Sequence, residues 1–323
     1  MGAAAGLDLV TGGAGFIGSH LVEALLAAGR RVRVVDDLAT GRRENLEAAA
    51  AGGGLEFLEG DLADPAVARE AVAGAERAFH LAARPSVPWS VAHPEQARRA
   101  NHGTTLALLE AAQEAGLRRI VFSSSSAVYG PGPALPKEEA MAPEPASPYA
   151  EHKLLGERAL AAAAAAGGPT AVALRYFNVY GPRQDPGSPY SGVISIFFDR
   201  ALAGEPPVLY GDGGQTRDFV FVEDVVRANL LAAGAEPGPS GFAAVNVGTG
   251  RAVSIRELWD AVCAALGVPA PEPERRPERP GDVRHSRAAV EAARRLLGFA
   301  AQVPLEEGLR RTAAFLRGPG RRS

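Results

Sequence analysis

The chain has 323 residues, of which 46% are hydrophobic and 22% are charged, as is ordinary for a globular protein. Its formal net charge of −3 gives no electrostatic reason to expect binding to nucleic acid or to an anionic membrane. The single cysteine, Cys263, excludes a disulfide framework and a thiolate zinc site, which favours a reducing, cytoplasmic compartment. We expect no signal peptide, no membrane span and no bound metal, because the sequence contains no pattern typical of them.

The first half of the chain alternates between short apolar runs and helical stretches. Six runs predict β-strands: Leu7–Val10, Arg31–Val35, Leu55–Leu58, Arg77–Ala82, Arg119–Ser123 and Thr170–Tyr176. Four stretches predict helices: Ile17–Ala28, Pro65–Val72, Pro94–Ala115 and Pro148–Ala166. Strands that alternate with helices indicate parallel strands joined by right-handed crossovers, so we predict a doubly wound α/β sheet.

The pattern becomes irregular after about Tyr176, where glycine and proline cluster in several loops. Helical stretches return at Leu258–Leu266, Ser286–Leu296 and Leu305–Leu316. We therefore predict a dinucleotide-binding domain over residues 1–175 and a smaller, mixed α/β domain over residues 176–318. Residues 217–248 are expected to return to the first domain, and residues 319–323 to form a tail.

A glycine-rich motif follows the first strand and opens the first helix. Gly12, Gly15 and Gly18 have the spacing G-x-x-G-x-x-G, which lets the backbone approach a pyrophosphate closely while the helix N-terminus faces the anion. Asp36 stands 18 positions after Gly18, at the end of the second apolar run, where a carboxylate can accept from both hydroxyls of an adenine ribose. That carboxylate would repel a 2′-phosphate, so NAD is favoured over NADP. The alternative is a glycine-rich turn that binds no dinucleotide.

The segment Ser147–Lys153 carries the residues suited to catalysis. Ser147 is a good helix N-cap, and Tyr149 and Lys153 then lie at i and i+4 on one helix face. A nearby ammonium, together with the positive nicotinamide of NAD⁺, favours a phenolate that can take a hydroxyl proton while hydride leaves the same carbon. The alternative is a surface tyrosine and a solvated lysine on a helix flank. Lysine occurs only at 137 and 153 in the whole chain.

Four serines, Ser123–Ser126, follow the fifth strand at the edge of the sheet where ligands bind in such folds. One of these hydroxyls can hydrogen-bond the reacting oxygen and relay a proton to Tyr149. The run continues as Ala127-Val128-Tyr129-Gly130. Capping or packing is the alternative role for the serines that do not take part.

These motifs resemble those of the extended short-chain dehydrogenase/reductase superfamily. The resemblance makes Ser125 the catalytic serine, and it implies an adenine contact at Asp61 and Leu62 and a wall beside the inner ribose at Leu81, Ala82 and Ala83. Asn101 matches a family asparagine, although the residues after it depart from the usual pattern. The resemblance implies further cofactor contacts from these residues: Phe16, Ile17, Asp37, Leu38, Gly41, Ser123, Tyr149, Lys153, Tyr176 and Phe177.

Five later blocks resemble the UDP-glucose/UDP-N-acetylglucosamine 4-epimerase family, namely residues 175–184, 188–194, 210–219, 246–250 and 279–286. The resemblance implies that Asn178, Arg217 and Arg279 bind a diphosphate and that Asp282 lies near the nucleotide ribose. It implies that Val193 and the segment Val208–Tyr210 flank the uracil, and that Ser86 and Ser125 contact substrate. Arginine pairs with phosphate bidentately, and a planar base favours apolar walls. The family usually dimerises through a helix pair such as Pro94–Ala115 and Pro148–Ala166.

Two sequence features bear on the substrate. Ser286 matches a family position where a bulky tyrosine excludes an N-acetyl group, so the small serine predicts room for UDP-GlcNAc and UDP-GalNAc as well as UDP-Glc and UDP-Gal. The acidic pair typical of the related dehydratases is absent from the Ser123–Ser126 block, which argues against elimination of water. A UDP-glucuronate 4-epimerase or decarboxylase and a non-catalytic NAD-sensing regulator are the rival hypotheses.

Overall fold

The structure is a computed structural model that describes residues 6–184, 192–278 and 283–318. Within these residues the strands are β1 (Leu7–Thr11), β2 (Arg31–Asp36), β3 (Leu55–Glu59), β4 (Ala75–His80), β5 (Arg119–Ser125), β6 (Thr170–Tyr176), β7 (Asn178–Tyr180), β8 (Val208–Tyr210), β9 (Thr216–Arg217), β10 (Phe219–Phe221), β11 (Phe242–Val247), β12 (Val253–Ser254) and β13 (Glu274–Arg276). Seven of them form a sheet in the order β11-β6-β5-β4-β1-β2-β3, with every neighbouring pair parallel. The predicted doubly wound α/β sheet is confirmed.

The helices of the described residues are α1 (Phe16–Ala27), α2 (Glu47–Ala50), α3 (Pro65–Val72), α4 (Val87–Ala92), α5 (Pro94–Arg98), α6 (Thr104–Ala115), α7 (Pro148–Ala165), α8 (Val193–Ala203), α9 (Val222–Gly234), α10 (Ile255–Leu266), α11 (Glu291–Leu297) and α12 (Leu305–Arg317). Helices α1, α9 and α11 cover one face of the sheet, and α3, α6 and α7 cover the other. The strands are buried on both faces because each helical layer contributes its own apolar core.

A separate apolar core joins α8, α10 and α12 to β7 and β10, around the buried Trp259 and Phe197. Three two-stranded sheets belong to this side of the molecule, pairing β7 with β10, β9 with β12, and β8 with β13. The chain then returns to the central sheet. Helix α9 packs beside α1, and β11 adds to the edge of the sheet next to β6.

Two predicted elements have different limits in the structure. The fourth strand ends at His80 rather than Ala82, because the N–H groups of Leu81 and Ala82 donate to the Thr11 hydroxyl at 3.1 Å each. The helix predicted over Pro94–Ala115 contains a π-helical turn at Arg99–Gly103 between α5 and α6. Side-chain hydrogen bonds accompany this turn, since the hydroxyls of Thr104 and Thr105 donate to carbonyls three or four residues earlier.

The helix predicted over Ser286–Leu296 begins only at Glu291. Residues 286–289 instead pair with other segments through their backbone N–H groups. Ser286 donates to the Thr216 carbonyl at 3.0 Å, Ala288 to the Asp218 carboxylate at 3.1 Å, and Ala289 to the Lys137 carbonyl at 2.9 Å. Tertiary hydrogen bonds therefore replace the first helical turn that the sequence pattern predicts.

Candidate active site

One continuous cavity of about 1620 Å³ runs along the carboxyl edge of the central sheet. Its walls come from the ends of β1, β2, β4, β5 and β6, from the start of α7, and from the segments that carry Asn178, Arg217 and Ser286. A pocket for a single drug-sized ligand measures roughly 300–1,000 Å³. The cavity is therefore large enough for a dinucleotide and a second ligand together.

The glycine-rich turn lies at one end of this cavity. Each of its three glycines avoids a different steric conflict. A Cβ on Gly12 would lie 2.8 Å from the Ala82 nitrogen, and one on Gly18 would lie 2.2 Å from the Gly12 carbonyl oxygen. Both substitutions would collide with backbone. A Cβ on Gly15 would meet only the Gly12 oxygen, at 3.2 Å, and Gly15 lines the cavity. Gly12 and Gly18 thus allow the turn to pack, whereas Gly15 leaves room for a ligand.

The end of β2 is tied to this turn by Asp36. One carboxylate oxygen accepts the Ala14 N–H and the other accepts the Leu38 N–H, each at 2.9 Å. Burial raises the pKa of Asp36, and the two backbone hydrogen bonds act in the opposite direction. Leu38 adopts φ +54°, and a Cβ on Gly41 would lie 2.8 Å from the carboxylate, so the loop after β2 closes tightly around Asp36.

Helix α7 brings Tyr149 and Lys153 to the cavity wall. Its first turn is fixed by Ser147, whose hydroxyl accepts the Ala150 N–H at 3.2 Å. The Ser125 side chain, at the end of β5, acts to lower the pKa of the Tyr149 hydroxyl, so the two hydroxyl groups are near each other. The Lys153 ammonium donates to the Ser123 carbonyl at 2.7 Å and lies 5.9 Å from the centre of the Tyr149 ring. Ser125, Tyr149 and Lys153 therefore face one point of the cavity.

Burial has the largest effect on the pKa values of Tyr149 and Lys153. It raises the pKa of Tyr149 to about 12, although the Ser125 hydrogen bond acts in the opposite direction. Burial also lowers the pKa of Lys153 to about 7, while the carboxylate of Glu157 raises it. The sequence predicts that the ammonium and the positive nicotinamide of NAD⁺ together lower the pKa of the phenol, whereas in this structure burial raises that pKa.

A buried polar network lies beneath these residues. Arg175 and Glu157 form a bidentate ion pair with distances of 3.0 and 2.7 Å, and their side chains are 6% and 4% exposed. Ser124 donates to Glu157 at 2.5 Å, which fixes the middle of the serine run. On the other side, Arg175 donates to the Tyr129 hydroxyl at 3.0 Å, and that hydroxyl donates to Asn246 at 2.6 Å. The network joins β5, β6, α7 and β11 directly under the candidate catalytic edge.

Most cofactor residues predicted from the sequence share the cavity wall. These are Gly12, Gly15, Phe16, Ile17, Gly18, Asp36, Asp37, Asp61, Leu62, Leu81, Ala82, Ala83, Ser123, Tyr149, Lys153, Tyr176 and Phe177. Leu38, Gly41 and Asn101 do not line it. Asn101 is buried, and its side-chain oxygen accepts the backbone N–H of Arg84 at 2.7 Å. It therefore stabilises the loop after β4 without lining the cavity.

The predicted substrate residues divide into three groups. Ser86, Ser125, Asn178, Arg217 and Ser286 line the cavity. Val193, Val208 and Tyr210 are described but do not line it, although β8, which contains the last two, pairs with β13. Arg279 and Asp282 lie outside the described residues.

Among the cavity residues that the sequence did not predict are two cations, Arg84 and Lys137. Arg84 follows the predicted Leu81–Ala83 wall, and its guanidinium donates across to the Ala39 carbonyl at 3.4 Å. Its position just after a strand end is the signal that could have identified it. Lys137 lies in a Pro- and Glu-rich loop with no periodic pattern, and only the scarcity of lysine draws attention to it.

Among residues 6–184, 192–278 and 283–318, no group of three or more His, Cys, Asp or Glu side chains is arranged to hold a metal ion. No described helix combines the length and the apolar character needed to cross a membrane.

A doubly wound sheet whose glycine-rich turn and Tyr–Lys pair face one cavity defines a nicotinamide-dependent protein of the extended short-chain dehydrogenase/reductase type. The chain belongs to the NAD dependent epimerase/dehydratase family, whose model matches residues 9–248.

Individual relatives resemble the chain over almost its whole length. A UDP-glucose 4-epimerase of Mycolicibacterium smegmatis is 45% identical over 311 residues, which cover 96% of this chain and 98% of that protein. The solved UDP-glucose 4-epimerase of Thermotoga maritima with UDP-glucose is 39% identical, with a TM-score of 0.89 and coverage of 96% and 98% of the two chains. A Thermus thermophilus UDP-glucose 4-epimerase in complex with NAD is 40% identical, with a TM-score of 0.86 and coverage of 97% and 99%.

Proposed function

We propose that this protein is an isomerase that interconverts the C4 epimers of UDP-hexoses, with NAD as a retained cofactor. The substrates are UDP-Glc and UDP-Gal, and also UDP-GlcNAc and UDP-GalNAc. The observation that carries the proposal is the convergence of Ser125, Tyr149 and Lys153 on a cavity that also contains the glycine-rich turn. Its similarity to UDP-glucose 4-epimerases extends over 96% of the chain.

The residues of the turn fit a dinucleotide. Gly15 leaves space where any larger residue would project into the cavity, and no acidic side chain lies in the first turn of α1 to repel a pyrophosphate. The Asp36 carboxylate lines the cavity where an adenine ribose would be held, and its negative charge disfavours a 2′-phosphate. Bound NAD⁺ would supply a hydride acceptor that later returns the hydride, and its positive nicotinamide ring would favour a neighbouring phenolate.

Tyr149 acts as the base and acid of the reaction in this proposal. Its phenolate takes the proton from the C4 hydroxyl as that carbon is oxidised to a ketone, and Ser125 hydrogen-bonds the same oxygen. Lys153 lies beside the tyrosine ring and is fixed through its bond to the Ser123 carbonyl, and its protonated form favours the phenolate. The 4-keto sugar then turns to present its other face, and Tyr149 returns the proton.

Such a rotation requires that the nucleotide is held firmly and the sugar loosely. Asn178 and Arg217 line the cavity and suit the diphosphate, because an amide and a guanidinium both donate to phosphate oxygens. We assign Arg279 to the same diphosphate, Asp282 to the nucleotide ribose, and Val193, Val208 and Tyr210 to the neighbourhood of the base. Ser286 lines the cavity with a small side chain, which supports the proposal that an N-acetyl group fits.

We assign the NAD to residues 1–175 and the UDP-sugar mainly to residues 176–318. We also propose that the protein is a cytoplasmic homodimer. Support for a dimer comes from the helices packed around α7, where Val91 is 62% exposed and Leu106 is 46% exposed. Light scattering during size-exclusion chromatography tests this, since a monomer mass would refute the dimer.

The function is tested by incubating the purified protein with UDP-Gal and, separately, with UDP-GalNAc, without added cofactor. Chromatographic separation should reveal the corresponding gluco epimers from both substrates. The ratio of the two rates tests the role of Ser286, and a Ser286→Tyr variant should lose the acetylated substrate selectively. Failure to convert either substrate, even with added NAD⁺, would refute the proposed function.

A further inference from the structure

The side chain of Asn229, on helix α9, is completely buried, and the proposed mechanism does not use it. Its amide nitrogen donates to the Val225 carbonyl and to the Tyr176 hydroxyl, each at 2.8 Å. Its amide oxygen lies 3.1 Å from the same hydroxyl. Both N–H donors of the amide are therefore used, one within α9 and one across to the end of β6.

Tyr176, the last residue of β6, continues this chain of hydrogen bonds. Its hydroxyl oxygen lies 3.0 Å from the hydroxyl oxygen of Ser123. Burial raises the pKa of Tyr176 to about 12, and the bonds to Ser123 and Asn229 act in the opposite direction. Although Tyr176 lines the cavity, its hydroxyl is engaged by two protein partners. Tyr176 therefore connects α9 to β5 and is poorly placed to act as a second acid or base.

Ser123, on β5, is bonded to both helical layers of the sheet. Its hydroxyl bonds to Tyr176, which reaches α9 on one face, and its carbonyl accepts the Lys153 ammonium at 2.7 Å from α7 on the other face. The pairing of β5 with β4 ends at Phe122, one residue earlier, so these side-chain bonds add to the β6 pairing in fixing Ser123. A chain of hydrogen bonds thus crosses the sheet edge from Asn229 to Lys153.

We propose that Asn229 is a positioning residue for the reaction. It acts through Tyr176 and Ser123 to fix the Lys153 ammonium. The inference rests on the proposed function, in which Lys153 supports Tyr149. A hydrogen bond from an ammonium is strong but depends on geometry, so a displaced Ser123 carbonyl would weaken it. Helix α9 therefore acts on the catalytic edge from the opposite face, although this fully described helix contributes no residue to the cavity wall.

The direct test is a titration of Lys153, because the chain has only two lysines, Lys137 and Lys153. Protein labelled with ¹³C at the lysine Cε atom gives two NMR signals, and a Lys137→Arg variant identifies the signal of Lys153. In NAD-saturated protein, Asn229→Leu should lower the midpoint of the Lys153 titration by about 1 pH unit. The reason is that a weaker bond to the Ser123 carbonyl stabilises the ammonium less.

Three other groups face the Lys153 ammonium and must stay unchanged in this comparison. The Glu157 carboxylate, one helical turn later on α7, raises the pKa of Lys153. His80, on β4, is close enough for the lysine charge to lower its own pKa, and the Tyr149 ring centre lies 5.9 Å from the ammonium. The Asn229 amide bonds to other residues, so Asn229→Leu leaves all three groups in place.

The matched control is Thr312→Val. Like the Asn229 amide, the Thr312 hydroxyl donates to the carbonyl four residues earlier in its helix, at 2.8 Å, and it is buried. Both variants should lower the thermal unfolding temperature, because each removes a buried hydrogen bond. Thr312 lies on α12, which belongs to a different core, so Thr312→Val should leave the Lys153 midpoint unchanged. Equal shifts of the midpoint in the two variants would overturn the proposal.

A second variant, Tyr176→Phe, keeps the test valid if Asn229→Leu does not fold, because it removes only one oxygen atom. It should shift the Lys153 midpoint in the same direction. Adding Asn229→Leu to Tyr176→Phe should produce little further shift, since both substitutions interrupt one chain. An unchanged midpoint in Tyr176→Phe, or shifts that simply add in the double variant, would contradict the proposal.

Kinetics with UDP-Gal provide a readout that loss of stability alone would not produce. Asn229→Leu should lower kcat by roughly 10- to 100-fold and leave KM unchanged, because it displaces the catalytic edge and not the candidate diphosphate ligands. A raised KM with unchanged kcat would refute the assignment. If the wild-type protein does not convert UDP-Gal, the proposed function fails, whereas the Lys153 midpoint still decides whether Asn229 positions that lysine.

Discussion

Arg175 and Glu157 form a bidentate ion pair that is buried directly beneath the candidate catalytic edge. Glu157 lies one helical turn after Lys153 on α7, and its charge raises the pKa of that lysine. The same carboxylate accepts the hydroxyl of Ser124, which stands between Ser123 and Ser125 on β5. The pair therefore sets both the charge and the position of groups that face the cavity.

Removing one partner of this pair should destabilise the fold strongly. We expect Arg175→Met to lower the free energy of unfolding by about 3–5 kcal/mol, because it leaves the Glu157 charge buried without its partner. Urea unfolding measures the loss. Glu59→Gln is the matched control, since it breaks the exposed ion pair with Arg43 and should cost less than about 1 kcal/mol. Equal losses of unfolding free energy in the two variants would show that the buried pair stabilises the fold no more than an exposed ion pair does.

Loss of the Tyr149 hydroxyl should abolish most of the catalysis without loss of the fold. We expect Tyr149→Phe to reduce kcat by roughly 100- to 10,000-fold, the range typical of a positioned acid or base. Bound NAD, measured after acid release, should be unchanged. Tyr180→Phe removes a hydroxyl that bonds the Leu305 carbonyl in another core, and it should retain nearly full kcat. A Tyr149→Phe variant with wild-type kcat would assign the proton transfer to another group.

The histidine at the end of β4 should make stability depend on pH. His80 is buried, its two ring nitrogens lie 2.8 and 2.9 Å from the hydroxyls of Thr11 and Thr105, and burial lowers its pKa to about 3. In the unfolded chain His80 has its ordinary pKa of about 6.5 and takes up a proton below that pH. The folded state binds this proton much more weakly, so its stability falls as the pH falls below about 6.5.

Between pH 7 and pH 5, the wild-type protein should lose about 2 kcal/mol more unfolding free energy than His80→Gln. Urea unfolding at the two pH values, with excess NAD, measures the difference. The structural reason is that protonation must disrupt the link between Thr11, which precedes the glycine-rich turn, and Thr105 on α6. Parallel pH dependence in the two proteins would mean that His80 is protonated without cost.

Two glycines of the turn should respond differently to a single methyl group. Gly18→Ala should lower the thermal unfolding temperature, because its Cβ would lie 2.2 Å from the Gly12 oxygen. Gly15→Ala should mainly reduce the NAD content of the purified protein, because its Cβ would project into the cavity. Gly52→Ala, whose Cβ would have its nearest neighbour at 3.8 Å, is the control for both readouts. An unaffected NAD content in Gly15→Ala would remove this turn from the cofactor site.

Asp218 should control substrate affinity through its neighbours. Its carboxylate accepts from Thr249, Gly250 and Ala288 at 2.6–3.1 Å, and it stands next to Arg217. In Asp218→Asn, an amide N–H group would face N–H donors, so the segments should separate and KM for UDP-Gal should rise roughly tenfold.

The NAD content of Asp218→Asn should stay at the wild-type level, because Asp218 lies away from the glycine-rich turn. Asp260→Asn, on the exposed face of α10, should change neither quantity. If Asp218→Asn lost NAD and substrate affinity together, the carboxylate would support the whole fold rather than the substrate segments.

Local patterns predict the parts of the site that are formed by neighbours in sequence. The glycine-rich turn is defined by three glycines within one strand–turn–helix unit, and Tyr149 and Lys153 meet because they are four residues apart on a capped helix. The order of apolar runs likewise predicts the parallel sheet, because each strand needs a helical crossover to reach the next.

Features that depend on distant partners could not be predicted in this way. Residues 286–289 have a helical pattern, yet their N–H groups bond to Thr216, Asp218 and Lys137, which are far away in sequence. The cavity position of Lys137 depends on the same pairing. The π-helical turn at Arg99–Gly103 also has no periodic signature, because it accompanies side-chain bonds to individual carbonyls.

Deuterium labelling tests the central claim most directly. UDP-galactose carrying deuterium at C4 is converted by the purified protein in ordinary water, without added cofactor, and the product is analysed by NMR. Transfer of hydride from C4 and its return to the same carbon predict UDP-glucose that retains the deuterium at C4. Product that has lost the label to solvent, or that is inverted at another carbon, would contradict the proposed reaction.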